Sequence, residues 1–220
     1  SVVEKSGIKV ENITDWSLSH FQDHYPDSNI SKLAIFHYVY AVLHDPVYRE
    51  TYALNLKREF PRIPFYPDFP QWAAWGEQLM TLHLGFENVE PWPLRRIEKP
   101  SPSTPLPPAG EGRTKPRLKA DKPAGRIEID AITALENVPA DAWEYRLGHR
   151  SALEWILEEY KESTPRDPTI REKFNTYRFA DYKEKVIDLL MRVCRVSVET
   201  VQITKAMRAV SESSRTEAKS

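Results

Sequence analysis

Nine of the chain's 18 prolines fall between Pro91 and Pro123, and no other feature limits the fold as much. Proline fixes φ, lacks an N–H and pushes the preceding residue out of the helical region. No helix crosses this stretch, and Pro100 to Gly112 reads as an exposed, mobile linker. Helical periodicity lies on both sides of it, and short alternating segments follow it. The expected class is therefore α+β and mostly helical, a helical bundle packed with a small antiparallel β-sheet. Residues 1–90 read as an N-terminal helical part, 91–125 as a proline-rich basic linker or insert carrying the first strand, 126–210 as a small sheet plus the C-terminal helices of the same domain, and 211–220 as a disordered tail.

The helices can be placed more closely. Ser1 to Glu11 reads as a frayed lead-in, after which Thr14 caps a short helix with Trp16, Leu18, Phe21 and Tyr25 on its apolar side. A second helix begins near Ser31 and is apolar on more than one face, so it is expected to be central. Asp45-Pro46 places a capping carboxylate before a proline at the first helical position. The Tyr48, Tyr52, Leu56 and Phe60 that follow predict one buried stripe. Prolines bracket Arg62 to Tyr66 and force an extended connector there, followed by a helix from about Phe69 to Phe86. Lys115–Lys119, Arg126–Asp130, Ile132–Leu135 and Trp143–Leu147 read as short strands. Ser151 with Glu154 forms a capping-box pattern that opens a helix to Tyr160. Asp181–Val210 is the longest periodic segment and is expected to pack against the N-terminal helices.

Composition excludes several function classes. No glycine-rich phosphate cradle occurs among the seven glycines, so nucleotide binding is not expected in this chain. The lack of a long apolar run or a basic-then-apolar leader predicts a soluble, cytoplasmic protein with no membrane partner. The lone Cys194 reads as a buried apolar residue and not as a reactive thiolate. His20 and His24 stand four apart on a helix without the HExxH pattern, so a surface pair is favoured over a metal site. His37, His44 and His83 read as satisfied core or cap histidines. The carboxylates do not pair for acid–base work, so no catalytic residue is assigned and the chain is not expected to be an enzyme by itself.

Aromatic residues from Phe60 to Trp75 could stack on bases, but their helical spacing points to a core. The basic residues carry more information. Formal net charge is only −1, yet Pro91 to Asp130 holds 9 Lys and Arg against 5 Asp and Glu. Arg113, Lys115, Arg117 and Lys119 alternate, so in a strand they project from one face, with Arg126 across a turn. A ribbon of this kind can enter a major groove, where arginine pairs bidentately with guanine. The alternative is a solvated strand edge protected by lysines.

Several ordered motifs resemble one family: Asn12-Ile13-Thr14-Asp15-Trp16, Ile35 through His44, Pro61-Arg62-Ile63-Pro64-Phe65, Leu82-His83-Leu84, Tyr145 through Trp155, and Val196-Ser197-Val198-Glu199-Thr200. Together they resemble the C-terminal target-recognition (specificity) domain of type I single-polypeptide, or type ISP, restriction–modification enzymes. The resemblance implies a double-stranded DNA partner and attached methyltransferase and helicase domains. S-adenosylmethionine, ATP and Mg would be bound in those other domains and none of them here. It also implies that the domain reads bases in the major groove and positions the target adenine for an N6-adenine methyltransferase. On this reading Arg117, Lys119 and Arg126 lie on a DNA-facing sheet, and Arg146, His149 and Arg150 occupy a turn leading to Ser151, where a helix start offers N–H groups to a phosphate. Arg62 is a further candidate. The rival reading is a helical scaffold that docks neighbouring domains without reading bases. The third is a metal-dependent hydrolase resting on His20 and His24.

Overall fold

The computed structural model describes residues 3–5, 8–10, 12–99, 116–162 and 177–217. The linker expected at Pro100 to Gly112, together with Arg113 and Lys115, lies outside the described residues, as does most of the Lys161–Phe179 loop. The fold is α+β and mostly helical, as expected. It divides into two compact units, Ser1–Gly85 with Gln202–Ser220, and Phe86–Val201.

The first unit opens with a hairpin of β1 (Val3–Lys5) and β2 (Ile8–Val10), paired antiparallel, in place of the frayed lead-in. The Ser6-Gly7 pair between the strands is the turn signal in the sequence that points to it. Helices α1 (Asp15–His24) and α2 (Lys32–His44) follow. Thr14 and Ser31 cap them by accepting from the backbone N–H groups of Ser17 and Ala34. Phe21, Ile35, Tyr38 and Val42 enter the core with Trp72 and Leu79 of α4 (Phe69–Leu84). Trp16, expected on the buried side of α1, is 73% exposed and stacks on His20. Helix α6 (Lys183–Glu217) belongs to this unit from Gln202 onward, and its Met207 is buried in the same core. The longest helix thus packs on the N-terminal helices.

Helix α3 (Pro46–Thr51) starts at the expected cap, where Asp45 accepts from the N–H groups of Val47 and Tyr48 at 3.0 and 3.3 Å. It then stops after six residues, and the period-four stripe dissolves. Tyr48 is buried, but Tyr52 is exposed and Phe60 is 96% exposed. The reason is tertiary: the Tyr48 hydroxyl donates to the carbonyl of Arg62 at 2.9 Å, so the chain must turn back within that interval. The extended connector is as expected and is gripped at every second carbonyl. Tyr48, Tyr38 and Tyr25 donate to the carbonyls of Arg62, Pro64 and Tyr66 at 2.9, 2.7 and 2.7 Å. Alternate carbonyls of an extended segment point the same way, which is why three phenols from two helices and a helical turn can hold it.

His44 and His83 are capped or core groups, as anticipated. His44 Nδ1 bonds the Tyr40 carbonyl at 2.7 Å, and His83 Nδ1 bonds the Tyr40 hydroxyl at 2.8 Å. Burial, helped by the neighbouring His44, brings the His83 pKa down to about 4, and burial also lowers that of His44. Both imidazoles are therefore neutral in the fold at pH 7. The unfolded chain takes up protons near 6.5, where the folded chain does not. The stability these neutral rings carry is thus complete above pH 6.5 and is lost as pH falls from 6.5 toward 4. Unfolding midpoints at pH 7 and pH 5 are expected to drop less for His83→Gln than for the native chain. Equal drops would refute this.

In the second unit, four strands form one antiparallel sheet in the order β3 (Arg95–Glu98), β6 (Thr133–Glu136), β5 (Arg126–Asp130), β4 (Pro116–Asp121). The expected strand at Trp143–Leu147 is instead a 3-10 turn at Ala140–Trp143 followed by the two-residue strand β7 (Arg146–Leu147), which pairs with β8 (Arg150–Ser151). Helix α5 (Ala152–Glu159) follows directly. Leu118, Ile127, Ile129 and Leu135 of the sheet pack against Leu153 and Leu157 of α5 and Val186 and Leu190 of α6. Cys194 is fully buried there, and burial pushes its thiol up to about 12, so it is a packing residue.

Candidate nucleic-acid interface

Because one face of the sheet is apolar and covered by helices, the strand register puts the polar residues on the other. Lys119 stands opposite Glu128, Asp121 opposite Arg126, and Arg95 opposite Glu136. Directly opposed residues share a face. The outer face therefore carries Arg95, Arg117, Lys119 and Arg126 beside Glu128, Glu136 and, at the strand end, Asp121. Arg126 pairs with Glu136 at 3.1 Å and is half-buried, while Arg117 sits 3.7 Å from Glu128 and stays exposed. Lys119 and Arg95 are exposed. Sequence reasoning missed Arg95, although the surplus of positive charge after Pro91 includes it.

A bulge shapes the edge strand. Between Pro116 and Lys119 the register of β4 slips against β5, and Leu118 takes φ +40° while burying its side chain. For a leucine this left-handed backbone costs about 1–2 kcal/mol. The extra residue lets Leu118 fill the core while Arg117 stays outside. Bulges recur where a strand has to re-aim a side chain.

The turn residues come from the start of α5. Gly148 adopts φ +71° between Leu147 and His149, and only glycine takes that conformation without strain. The Arg146 guanidinium donates to the His149 carbonyl, closing the turn. Trp155 Nε1 donates to the Leu147 carbonyl at 2.8 Å, and the Arg150 guanidinium lies 5.4 Å from the Trp155 ring. Arg146 and His149 are exposed and Arg150 half-exposed.

Ser151 is placed differently from its expected phosphate-binding role. It is fully buried and completes the capping box: its hydroxyl accepts from the Glu154 N–H at 3.3 Å, and the Glu154 carboxylate accepts from the Ser151 N–H at 2.9 Å. Burial opposes ionisation of Glu154, but bonds from Lys122 and Ser151 overcome it and hold the carboxyl at about 2. A carboxylate thus already occupies the positive end of this helix and offsets its partial charge. Lys122 reaches Glu154 at 2.8 Å, so the turn between β4 and β5 is tied to the start of α5 and the hairpin lies beside that end of the sheet.

Arg62, in the first unit, projects into solvent 3.9 Å from Glu59, while its carbonyl is fixed by Tyr48. His24 stacks on Phe65 at 4.2 Å and His20 on Trp16 at 5.1 Å, so both imidazoles are engaged with aromatic rings. Among the described residues no group of three His, Cys, Asp or Glu side chains could hold a metal ion, and no helix is long and apolar enough to cross a membrane. Trp72 is a core residue against Tyr66, and the half-buried Trp75 packs edge-on against Trp72.

The model of the type ISP C-terminal specificity domain matches residues 2–189. The chain belongs to that family. Among solved structures, it is 59% identical to a DrdV–DNA complex determined by cryo-electron microscopy, with a TM-score of 0.84 over 92% of this chain and 20% of that one. A nuclease-deletion mutant of the type ISP restriction–modification enzyme LlaGI, in complex with a DNA substrate mimic, matches with a TM-score of 0.61 at 27% identity, over 81% of this chain and 14% of that one. The ATP-dependent type ISP enzyme LlaBIII bound to DNA shares the fold, with a TM-score of 0.66 at 23% identity over 91% of this chain and 12% of that one. The chain thus spans a fifth or less of the length of these relatives. No curated protein matches it.

Proposed function

We propose that this chain is a DNA target-recognition domain that reads a duplex sequence in the major groove and positions the target adenine for an attached N6-adenine methyltransferase. The carrying observation is the collection of Arg95, Arg117, Lys119 and Arg126 on the outer face of one sheet, next to a hairpin bearing Arg146, His149 and Arg150. Family membership supports the same reading, as do three solved neighbours that are complexes with DNA or a DNA mimic. In this reading the domain is not itself catalytic. S-adenosylmethionine, ATP and Mg belong to methyltransferase and helicase domains of a parent restriction–modification polypeptide acting in the cytoplasm. A formal net charge of −1 means that duplex binding by this chain alone is weak, with a shallow salt slope, and that tight binding needs the attached domains.

The sheet provides the test. Arg95→Gln with Lys119→Gln removes two exposed cations without stranding a paired carboxylate. Duplex affinity at low salt is expected to fall about tenfold, and the slope of log K against log salt to shrink by about 2. Unchanged affinity and slope in a titration by fluorescence anisotropy would refute the sheet as the DNA-facing surface.

The scaffold reading is favoured by one observation in the first unit. Phe60 is 96% exposed and Tyr52 45% exposed, and with Arg62 they border a cavity of about 500 Å³. Exposed apolar groups around a concavity suit contact with another protein surface. In that reading the chain docks neighbouring domains without reading bases, and the sheet substitutions above leave duplex affinity unchanged.

A further inference from the structure

The hairpin at Arg146–Ser151 is built differently from the sheet, and the difference divides the labour of recognition. Each strand has two residues, and a two-stranded ribbon of that size has no independent stability. Its turn places Gly148 at the first central position with φ +71°, which suits a type II′ connection. A Cβ on Gly148 would meet nothing within 4 Å, so the tip is in open space.

What fixes the tip is Trp155. Although it is 40% exposed, its ring and N–H are spent on the hairpin: Nε1 holds the Leu147 carbonyl at 2.8 Å, His149 meets the ring edge at 5.7 Å, and Arg150 lies over the ring at 5.4 Å. One guanidinium nitrogen of Arg146 closes the turn, and Arg150 stacks on the ring with Glu158 4.0 Å away. The side chains exposed at the tip itself are the imidazole of His149, one side of which meets Trp155, and Leu147, which is 48% exposed. An aliphatic group and an imidazole discriminate poorly among phosphates, all of which look alike, but they can read base edges. A leucine fits the thymine C5-methyl group, and an imidazole N–H can donate to purine N7 or guanine O6 in the major groove.

Resting on the DNA-recognition reading above, we propose that the Leu147–His149 tip selects the base pair, that Trp155 is its positioning residue, and that the cations of the sheet hold phosphates without reading sequence. Phosphate contacts set register and affinity, while base contacts set choice. Rigid presentation by Trp155 supplies the pre-organisation that discrimination requires.

The experiment is selection from a randomised duplex pool by the purified chain at low salt, followed by affinities for the selected duplex and a scrambled one. Leu147→Ala, at an exposed tip, is expected to cut the selected-to-scrambled affinity ratio about tenfold and alter the selected sequence, with scrambled affinity within about twofold of native. Trp155→Phe keeps a ring and deletes the N–H, and it should lower the same ratio while thermal unfolding stays unchanged. Arg95→Gln with Lys119→Gln should lower both affinities by one factor and leave the ratio intact. If the native chain selects a sequence and Leu147→Ala and Trp155→Phe select the same one at the same ratio, the tip does not read bases, and this inference alone is overturned. If the native chain shows no measurable duplex affinity by anisotropy at low salt, where even weak binding registers, the DNA-recognition reading falls and takes this inference with it.

Discussion

Replacing Gly76 by alanine is expected to lower the unfolding free energy of the first unit by about 3 kcal/mol, the upper part of the range for overpacking a closed core. Gly76 lies on α4 where that helix crosses α2, and a Cβ built there would sit 1.8 Å from the carbonyl oxygen of His37 and 2.5 Å from its carbonyl carbon. The colliding atoms are backbone, so no rotamer change relieves them. Alanine would ordinarily favour a helix over glycine by about 1 kcal/mol, so a net loss isolates the steric term. The α2 helix cannot simply retreat, because Tyr38 and Ala41, which follow His37 on α2, are fully buried. Tyr38 also holds the connector through Pro64 and Tyr66. Gly148→Ala is the natural comparison. It strains a positive φ but meets open space, and should cost about 1 kcal/mol. Thermal unfolding followed by tryptophan fluorescence separates the two, and a Gly76→Ala chain as stable as the native one would show that the helices have room to part.

That crossing was not readable from the sequence, and the reason is general to this chain. Features decided by neighbours along the chain were legible: the caps at Thr14 and Asp45, the Ser151–Glu154 box, the proline-bracketed connector and the strand at Arg126. Features decided by distant partners were not. Strand β3 pairs with β6 from beyond the proline-rich stretch, so nothing local marks Arg95 as a member of the basic face. Tyr52, Leu56 and Phe60 keep a perfect helical interval, yet the chain obeys the Tyr48–Arg62 bond instead. The candidate site divides the same way. Alternation along β4 places Arg117 and Lys119 on one face, whereas the bulge at Leu118 and the grip of Trp155 on Leu147 depend on packing that periodicity does not encode. Ser151 carried two local meanings, cap and phosphate contact, and its burial assigns it to the first.

Asp45→Ala is expected to cost the first unit about 3 kcal/mol, the sum of a lost N-cap at about 1 kcal/mol and of the buried Ser211 hydroxyl deprived of this acceptor at about 1–3 kcal/mol. Sequence alone assigns Asp45 the cap of α3. In the fold its fully buried carboxylate also accepts from the Tyr66 hydroxyl at 3.0 Å and from the Ser211 hydroxyl at 3.0 Å. One side chain thus ties together the start of α3, the connector that carries Arg62 and the last part of α6. Ser211→Ala removes one donor and leaves the cap intact, so it should cost about 1 kcal/mol. Tyr66→Phe with Ser211→Ala removes both hydroxyls while keeping the carboxylate, which then lies buried with only the cap N–H groups to stabilise it. If Asp45 acts as a hub, Asp45→Ala and Ser211→Ala combined should cost little more than Asp45→Ala alone, because the second change deletes a donor already orphaned by the first. Chemical denaturation of the four variants measures this coupling. Strict additivity would mean that Asp45 is only a cap and that Ser211 and Tyr66 find other partners.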